Sequence, residues 1–110
     1  MRVACQGLTL HVRDVELSRE FYLRIPGITL AGHRQGEFAL LEINGCLLGL
    51  LQLPKAGFHI ELGTEDLDRM YDHLVRKGIE PLSAPRERQW GEKAFNVTDP
   101  DGHVLEFQAG

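Results

Sequence analysis

A chain of 110 residues has room for one hydrophobic core but not for two independent ones. Its 43% hydrophobic and 25% charged residues are ordinary globular values, and a formal charge of −4 with scattered Lys and Arg gives no basis for binding nucleic acid. Cys5 and Cys46 have neither metal-type spacing nor a disulfide framework, the segment Met1-Arg2-Val3-Ala4-Cys5 lacks a signal-peptide apolar run, and no stretch is apolar enough to span a membrane. A soluble cytoplasmic protein is the expectation.

Residues Val3 to Val12 read as a strand, with Leu8, Leu10 and Val12 on one face and Gly7, Thr9 and His11 on the other. Asp14 suits a helix N-cap, with Glu16 favourable in the first turn. Val15, Ser18, Tyr22 and Ile25, with Phe21 beside them, give a face of helical period, and Pro26-Gly27 ends it. Three strands follow, Ile28 to Arg34, Glu37 to Ile43 and Cys46 to Leu53. Gln35-Gly36 and Asn44-Gly45 form the hairpin turns between them.

After the connector Pro54-Lys55-Ala56-Gly57 the pattern restarts. Phe58 to Gly63 is a strand with His59 and Glu61 opposite Phe58, Ile60 and Leu62. Thr64 is placed to cap a helix whose apolar positions are Leu67, Met70, Tyr71, Leu74 and Val75, with Arg76 and Lys77 in the last turn and Gly78 at its end. Ile79 to Arg86, Lys93 to Thr98 and His103 to Gln108 complete the strands. The turn before the last one is Asp99-Pro100-Asp101-Gly102, a type I sequence.

The order strand, helix, three strands therefore occurs twice, and the two copies align. Asn44-Gly45-Cys46-Leu47-Leu48-Gly49-Leu50 lies over Asp101-Gly102-His103-Val104-Leu105-Glu106-Phe107 without a gap. Gly36-Glu37-Phe38-Ala39 lies over Gly91-Glu92-Lys93-Ala94, and Asp14-Val15 over Asp66-Leu67. The expected modules are residues 1–54 and 55–110 of a single domain. Each is too small to bury its sheet alone. The apolar face of each strand receives the helices, and the other face carries Thr9, His11, His59, Glu61, Glu106 and Gln108. Periodicity leaves open whether that polar face meets water or lines a pocket.

Leu8-Thr9-Leu10-His11-Val12-Arg13-Asp14 with Ser18 and Phe21-Tyr22, then Phe58-His59-Ile60, then Asp99 through Phe107, resembles the vicinal oxygen chelate superfamily. That group holds glyoxalase I, extradiol dioxygenases, fosfomycin-resistance enzymes and bleomycin-resistance proteins. The resemblance covers nearly the whole chain. It implies an α+β fold of paired βαβββ modules forming a curved mixed sheet cupped around a small-molecule pocket, helices outside. It also implies, in the metal-dependent members, a divalent ion (Zn, Ni, Mn or Fe) held from the first strand, the strand opening the second half, and the last strand.

On this chain the second-half positions fall on His59 and Glu106, and the first-half equivalents on Gly7 and Gly49, which carry no ligand atom. A catalytic metal needs about three protein ligands. By strand rise His11 lies about 13 Å from position 7, while Cys5 from position 7 and Glu61 from His59 are each about 7 Å away, so none is expected to complete the site. Trp90-Gly91 before the last strand is similar to the bleomycin-resistance proteins, and Trp90 is a broad face for a planar ligand. His11 is read as pocket wall, Arg86 and Arg88 as exposed, Cys5 and Cys46 as small core residues, and His103 as facing the helix side or sheet edge.

Two functions are expected. One is a protein that binds or sequesters a small molecule without a complete metal site. The other is a divalent-metal-dependent lyase, isomerase or dioxygenase acting on a small bidentate oxygen substrate, with His59 and Glu106 as ligands and Glu106 the catalytic carboxylate. Whether the chain is an enzyme stays open. A homodimer is expected; were the modules to pair between chains, Gly7 and Gly49 would leave volume opposite the polar pair.

Overall fold

Asp14 and Asp66 set the starts of the two helices, and each helix packs on the strands of its own part of the chain. The computed structural model describes residues 2–88 and 92–110, so Trp90 lies outside the described residues. Among these are eight strands and two helices, an α+β arrangement. Two compact units are formed, one by residues 7–59 and the other by residues 60–110 with the chain up to Gln6.

In the first unit, β1 (Val3–Val12) leads into α1 (Val15–Leu23), and β2 (Ile28–Arg34), β3 (Phe38–Ile43) and β4 (Cys46–Gln52) follow. The strand order is β2-β3-β4-β1. β1 and β4 are parallel, with Thr9 beside Gly49, whereas β2–β3 and β3–β4 are antiparallel. Asp14 Oδ1 accepts from the N–H groups of Glu16 and Leu17 at 3.1 and 3.2 Å, satisfying two donors that a helix start leaves orphaned. Val15, Ala39, Leu41 and Leu50 are buried and pack with Leu10, Val12, Tyr22, Leu23, Ile28 and Leu48. Of the anticipated helix face, Val15 is buried and Ile25 stays exposed, as does Phe21 beside it. Phe21 instead meets Tyr22 edge to face, with the Arg24 guanidinium over its own ring. Asn44 and Gly45 both have positive φ, as a type I′ hairpin turn requires.

The second unit holds the continuation of β5 (Gly57–Thr64), then α2 (Leu67–Arg76), β6 (Arg86–Glu87), β7 (Lys93–Thr98) and β8 (Val104–Ala109), in the order β5-β8-β7-β6. Leu67, Met70, Phe95, Val97 and Phe107 form its core, with Leu62, Tyr71, Leu74 and Leu105 against them. Phe95 and Phe107 stack with centroids 5.0 Å apart, and Tyr71 meets Phe95 edge to face. The cap of α2 is Asp66 and not Thr64: Asp66 Oδ1 accepts from Arg69 N–H at 3.1 Å. Thr64 is still strand, almost fully buried, and its carbonyl accepts from Gly110 N–H. The strand anticipated from Ile79 to Arg86 shrinks to Arg86–Glu87. Pro81 and Pro85 supply no N–H for a ladder, and the segment is tied instead through Leu82 N–H to the Asn96 carbonyl.

The turn before β8 forms as its sequence demands. Gly102 N–H donates to the Asp99 carbonyl at 2.9 Å, and Asp99 Oδ1 accepts from the N–H groups of Asp101 and His103. This fixes the register of β8 against β7, in which Asn96 faces Glu106 and Phe95 faces Phe107.

Candidate functional site

Strand alternation places the polar groups. On β8, Leu105 and Phe107 point into the core beneath α2, so Glu106 leaves the opposite face. On β5, Leu62 packs in that core while His59 and Glu61 share the other face. His59 and Glu106 are only 6% and 8% exposed. A buried carboxylate needs a compensating charge or donor set.

Glu106 has one. The guanidinium of Arg88 donates to Glu106 Oε1 and to the side-chain carbonyl of Gln108, and it also lies 3.5 Å from Glu92 Oε2. Gln108 in turn donates through Nε2 to Gln6 Oε1 at 2.8 Å. The expectation that Arg88 is solvent-exposed is therefore corrected: its side chain is 20% exposed and engaged. Alternation along an anticipated strand could not show this. The paired strand is Arg86–Glu87, Arg88 N–H bonds the Glu92 carbonyl at 2.7 Å, and the guanidinium's partners lie on β8, eighteen and twenty residues away in sequence.

Glu61 is a second correction. One ligand atom each from His59, Glu61 and Glu106 lies within 4.8 Å of the others. Strand rise separates the Cα atoms of His59 and Glu61 by about 7 Å, but side chains leaving one face converge at their tips. His59 and Glu61 are alternate residues of one continuous strand, and that continuity sets their spacing.

His11 contacts His59 directly, with Nε2 2.7 Å from Nδ1 and ring centroids 5.0 Å apart. Sequence reasoning placed His11 on the right face but did not foresee the contact. Burial holds the His11 pKa below the usual histidine range, and the neighbouring His59 lowers it further. Thr9 sits against Gly49 in the β1–β4 register.

The two glycines leave no open volume. A Cβ on Gly7 would come within 2.8 Å of the Leu47 carbonyl oxygen, and Gly7 has φ +140, a conformation L side chains rarely adopt. A Cβ on Gly49 would come within 2.7 Å of Thr9 Oγ1. The first-strand ligand is thus excluded by backbone as well as absent. Cys5 and Cys46 are exposed, not core: Cys5 lies in the uncovered start of β1 and Cys46 follows the β3–β4 turn. His103 precedes β8, exposed and hydrogen-bonded through Nδ1 to Asp99 Oδ2 at 2.9 Å. Open depressions of about 640 Å³ beside α1 and about 360 Å³ at the C-terminal end of α2 are lined by none of the anticipated site residues.

One nitrogen and two carboxylates suit a divalent cation in donor type. Against this, a guanidinium already holds one carboxylate, and the backbone at Gly7 denies the donor that the family pattern would add.

Residues 6–107 match the Glyoxalase/Bleomycin resistance protein/Dioxygenase superfamily. The chain belongs to that superfamily. It is 28% identical over 113 residues to the metallothiol transferase FosB of Lysinibacillus sphaericus, covering 94% of this chain and 79% of the relative. It is 27% identical over 120 residues to the bleomycin resistance protein of Geobacillus stearothermophilus, covering 89% and 90%. Among solved structures, a superfamily member from Vibrio splendidus superposes with TM-score 0.79 at 20% identity over 99% of this chain and 98% of that one. A Streptomyces coelicolor methylmalonyl-CoA epimerase variant gives TM-score 0.78 at 21% identity over 97% and 94%. At these identities the structural likeness shows the fold.

Proposed function

We propose that this superfamily member binds a small polar molecule at the face carrying His59, Glu61, Arg88, Glu106 and Gln108, and does so without a resident metal. The observation that supports this reading is the Arg88–Glu106 ion pair. A carboxylate this buried is charge-balanced by the protein's own cation, so it needs no metal for neutrality. Arg88 and Gln108 offer donors and Glu61 and Glu106 acceptors, a mixed set that fixes the orientation of a polar ligand. The proposed assembly is a homodimer in the cytoplasm.

The test is metal analysis of purified, dialysed protein, paired with thermal shift using metal-free bleomycin as the first probe, chosen because relatives carry that resistance name. Well under one equivalent of metal per chain is expected, with a shift that Glu106→Gln abolishes. About one equivalent retained through dialysis would overturn the reading.

A second reading, a divalent-metal-dependent lyase, isomerase or dioxygenase, is favoured by the convergence of His59, Glu61 and Glu106. These three would hold the ion, which would supply Lewis-acid polarisation of a substrate oxygen. The hydrogen bond between His59 Nδ1 and His11 Nε2 would then fix the plane of the His59 ring.

A further inference from the structure

We propose that Arg88 decides whether the His59–Glu61–Glu106 cluster takes a divalent cation, by occupying Glu106 in the cation's stead. This deepens the metal-independent reading above and rests on it.

Three observations combine. The donor atoms of His59, Glu61 and Glu106 already lie within 4.8 Å of one another, so little rearrangement separates them from a cation-binding set. Arg88 is anchored from two sides, by Glu106 and by Gln108, and Gln108 is itself braced by Gln6. A guanidinium fork held on two acceptors is pre-organised. The third is location: Arg88 immediately follows β6, a strand of only two residues, and its backbone N–H bonds the Glu92 carbonyl, so the guanidinium is carried at the end of a short pairing beside β8's Glu106.

A divalent ion and the guanidinium compete for the same carboxylate. An ion that draws on Glu106 Oε1 must displace Arg88, and its apparent affinity falls by the cost of that displacement. Removing the guanidinium leaves a dense negative site with one imidazole, which favours a hard or borderline divalent cation. Arg88 is in this sense a specificity-determining residue: with it, the face accepts polar organic groups; without it, a metal.

The experiment titrates chelator-treated full-length protein with Ni²⁺, Zn²⁺ and Mn²⁺ alone, reading heat of binding and melting temperature, for wild type, Arg88→Gln, Arg88→Lys and Arg88→Gln/His59→Ala. Arg88→Gln is expected to bind at least one of the ions about tenfold or more tightly than wild type, roughly the loss of one competing ion pair. The metal should also raise its melting temperature. Arg88→Lys cannot bridge Glu106 and Gln108 as a fork, so it should fall between the two, and it carries the test if Arg88→Gln does not fold. The double variant should lose the gain. Equal affinities in wild type and the Arg88 variants, or a gain that survives loss of His59, would overturn the proposal. Metal retained by dialysed wild type would instead count against the metal-independent reading, so the two failures are told apart.

Discussion

Arg88 and Glu106 are eighteen residues apart in sequence, yet they form one ion pair on a carboxylate whose residue is only 8% exposed. The pair is partly buried, and breaking it from one side should cost more than removing both charges. Arg88→Ala leaves Glu106 with its principal cation gone and is expected to destabilise by about 2–4 kcal/mol. Adding Glu106→Gln should recover a good part of that loss. Urea melts of the four proteins in the cycle give the coupling directly. Additive single effects would show the pair to be energetically inert.

The first-strand glycine should resist conversion to a ligand. Gly7→His places a side chain at φ +140, with its Cβ 2.8 Å from the Leu47 carbonyl. Backbone of this kind tolerates non-glycine residues at a cost of order 1–3 kcal/mol before any clash is counted. The variant is expected to lose stability and to bind no more Ni²⁺ or Zn²⁺ than wild type, as read by urea melt and by metal analysis after dialysis. A stable Gly7→His protein that gains a tightly held metal would contradict the geometry.

The legibility of this chain divides along locality. Caps, turns and alternation are local, so Asp14, Asn44-Gly45 and the Asp99 to Gly102 turn could be read from the sequence, and with them the faces that His59, Glu61 and Glu106 occupy. Thr64 misled because two potential caps, Thr64 and Asp66, stand two residues apart, and tertiary packing extends β5 through the first. Arg88 was illegible for a different reason. Its partner is chosen by tertiary proximity, and the only hint was that a carboxylate on an apolar strand requires some cation. The His11–His59 contact likewise joins residues 48 apart. Cys5 and Cys46 look apolar in composition but sit where the strand leaves the core uncovered.

The Asp99 turn carries a pH signature. Hydrogen bonds from the His103 side chain and backbone hold the Asp99 carboxyl below the usual aspartate range, with a smaller contribution from Asp101 N–H. A depressed carboxylate stabilises the fold above its unfolded pKa, and that contribution is lost as pH falls through the folded value. Asp99→Asn should therefore flatten part of the decline in melting temperature on the acid side of about pH 4. His103→Ala should move the Asp99 titration, followed by carboxyl NMR, upward toward the ordinary range. An unmoved titration would show that backbone donors alone set it.

Burial, not residue type, should rank the aromatic substitutions. Phe107 is 5% exposed and stacks on Phe95, itself 2% exposed, whereas Phe21 is 52% exposed on α1. Truncating a packed core phenylalanine forfeits transfer free energy and leaves a cavity, about 3–5 kcal/mol in total. Phe107→Ala should reach that range. It should also weaken ligand or metal binding indirectly, because Phe107 and Glu106 are successive residues of β8 and the packing of one sets the position of the other. Phe21→Ala gives up only its edge contact with Tyr22 and the Arg24 guanidinium, so a change of about 1 kcal/mol or less is expected. Parallel urea melts decide it. Equal losses at Phe21 and Phe107 would mean that the α1 face is covered in solution.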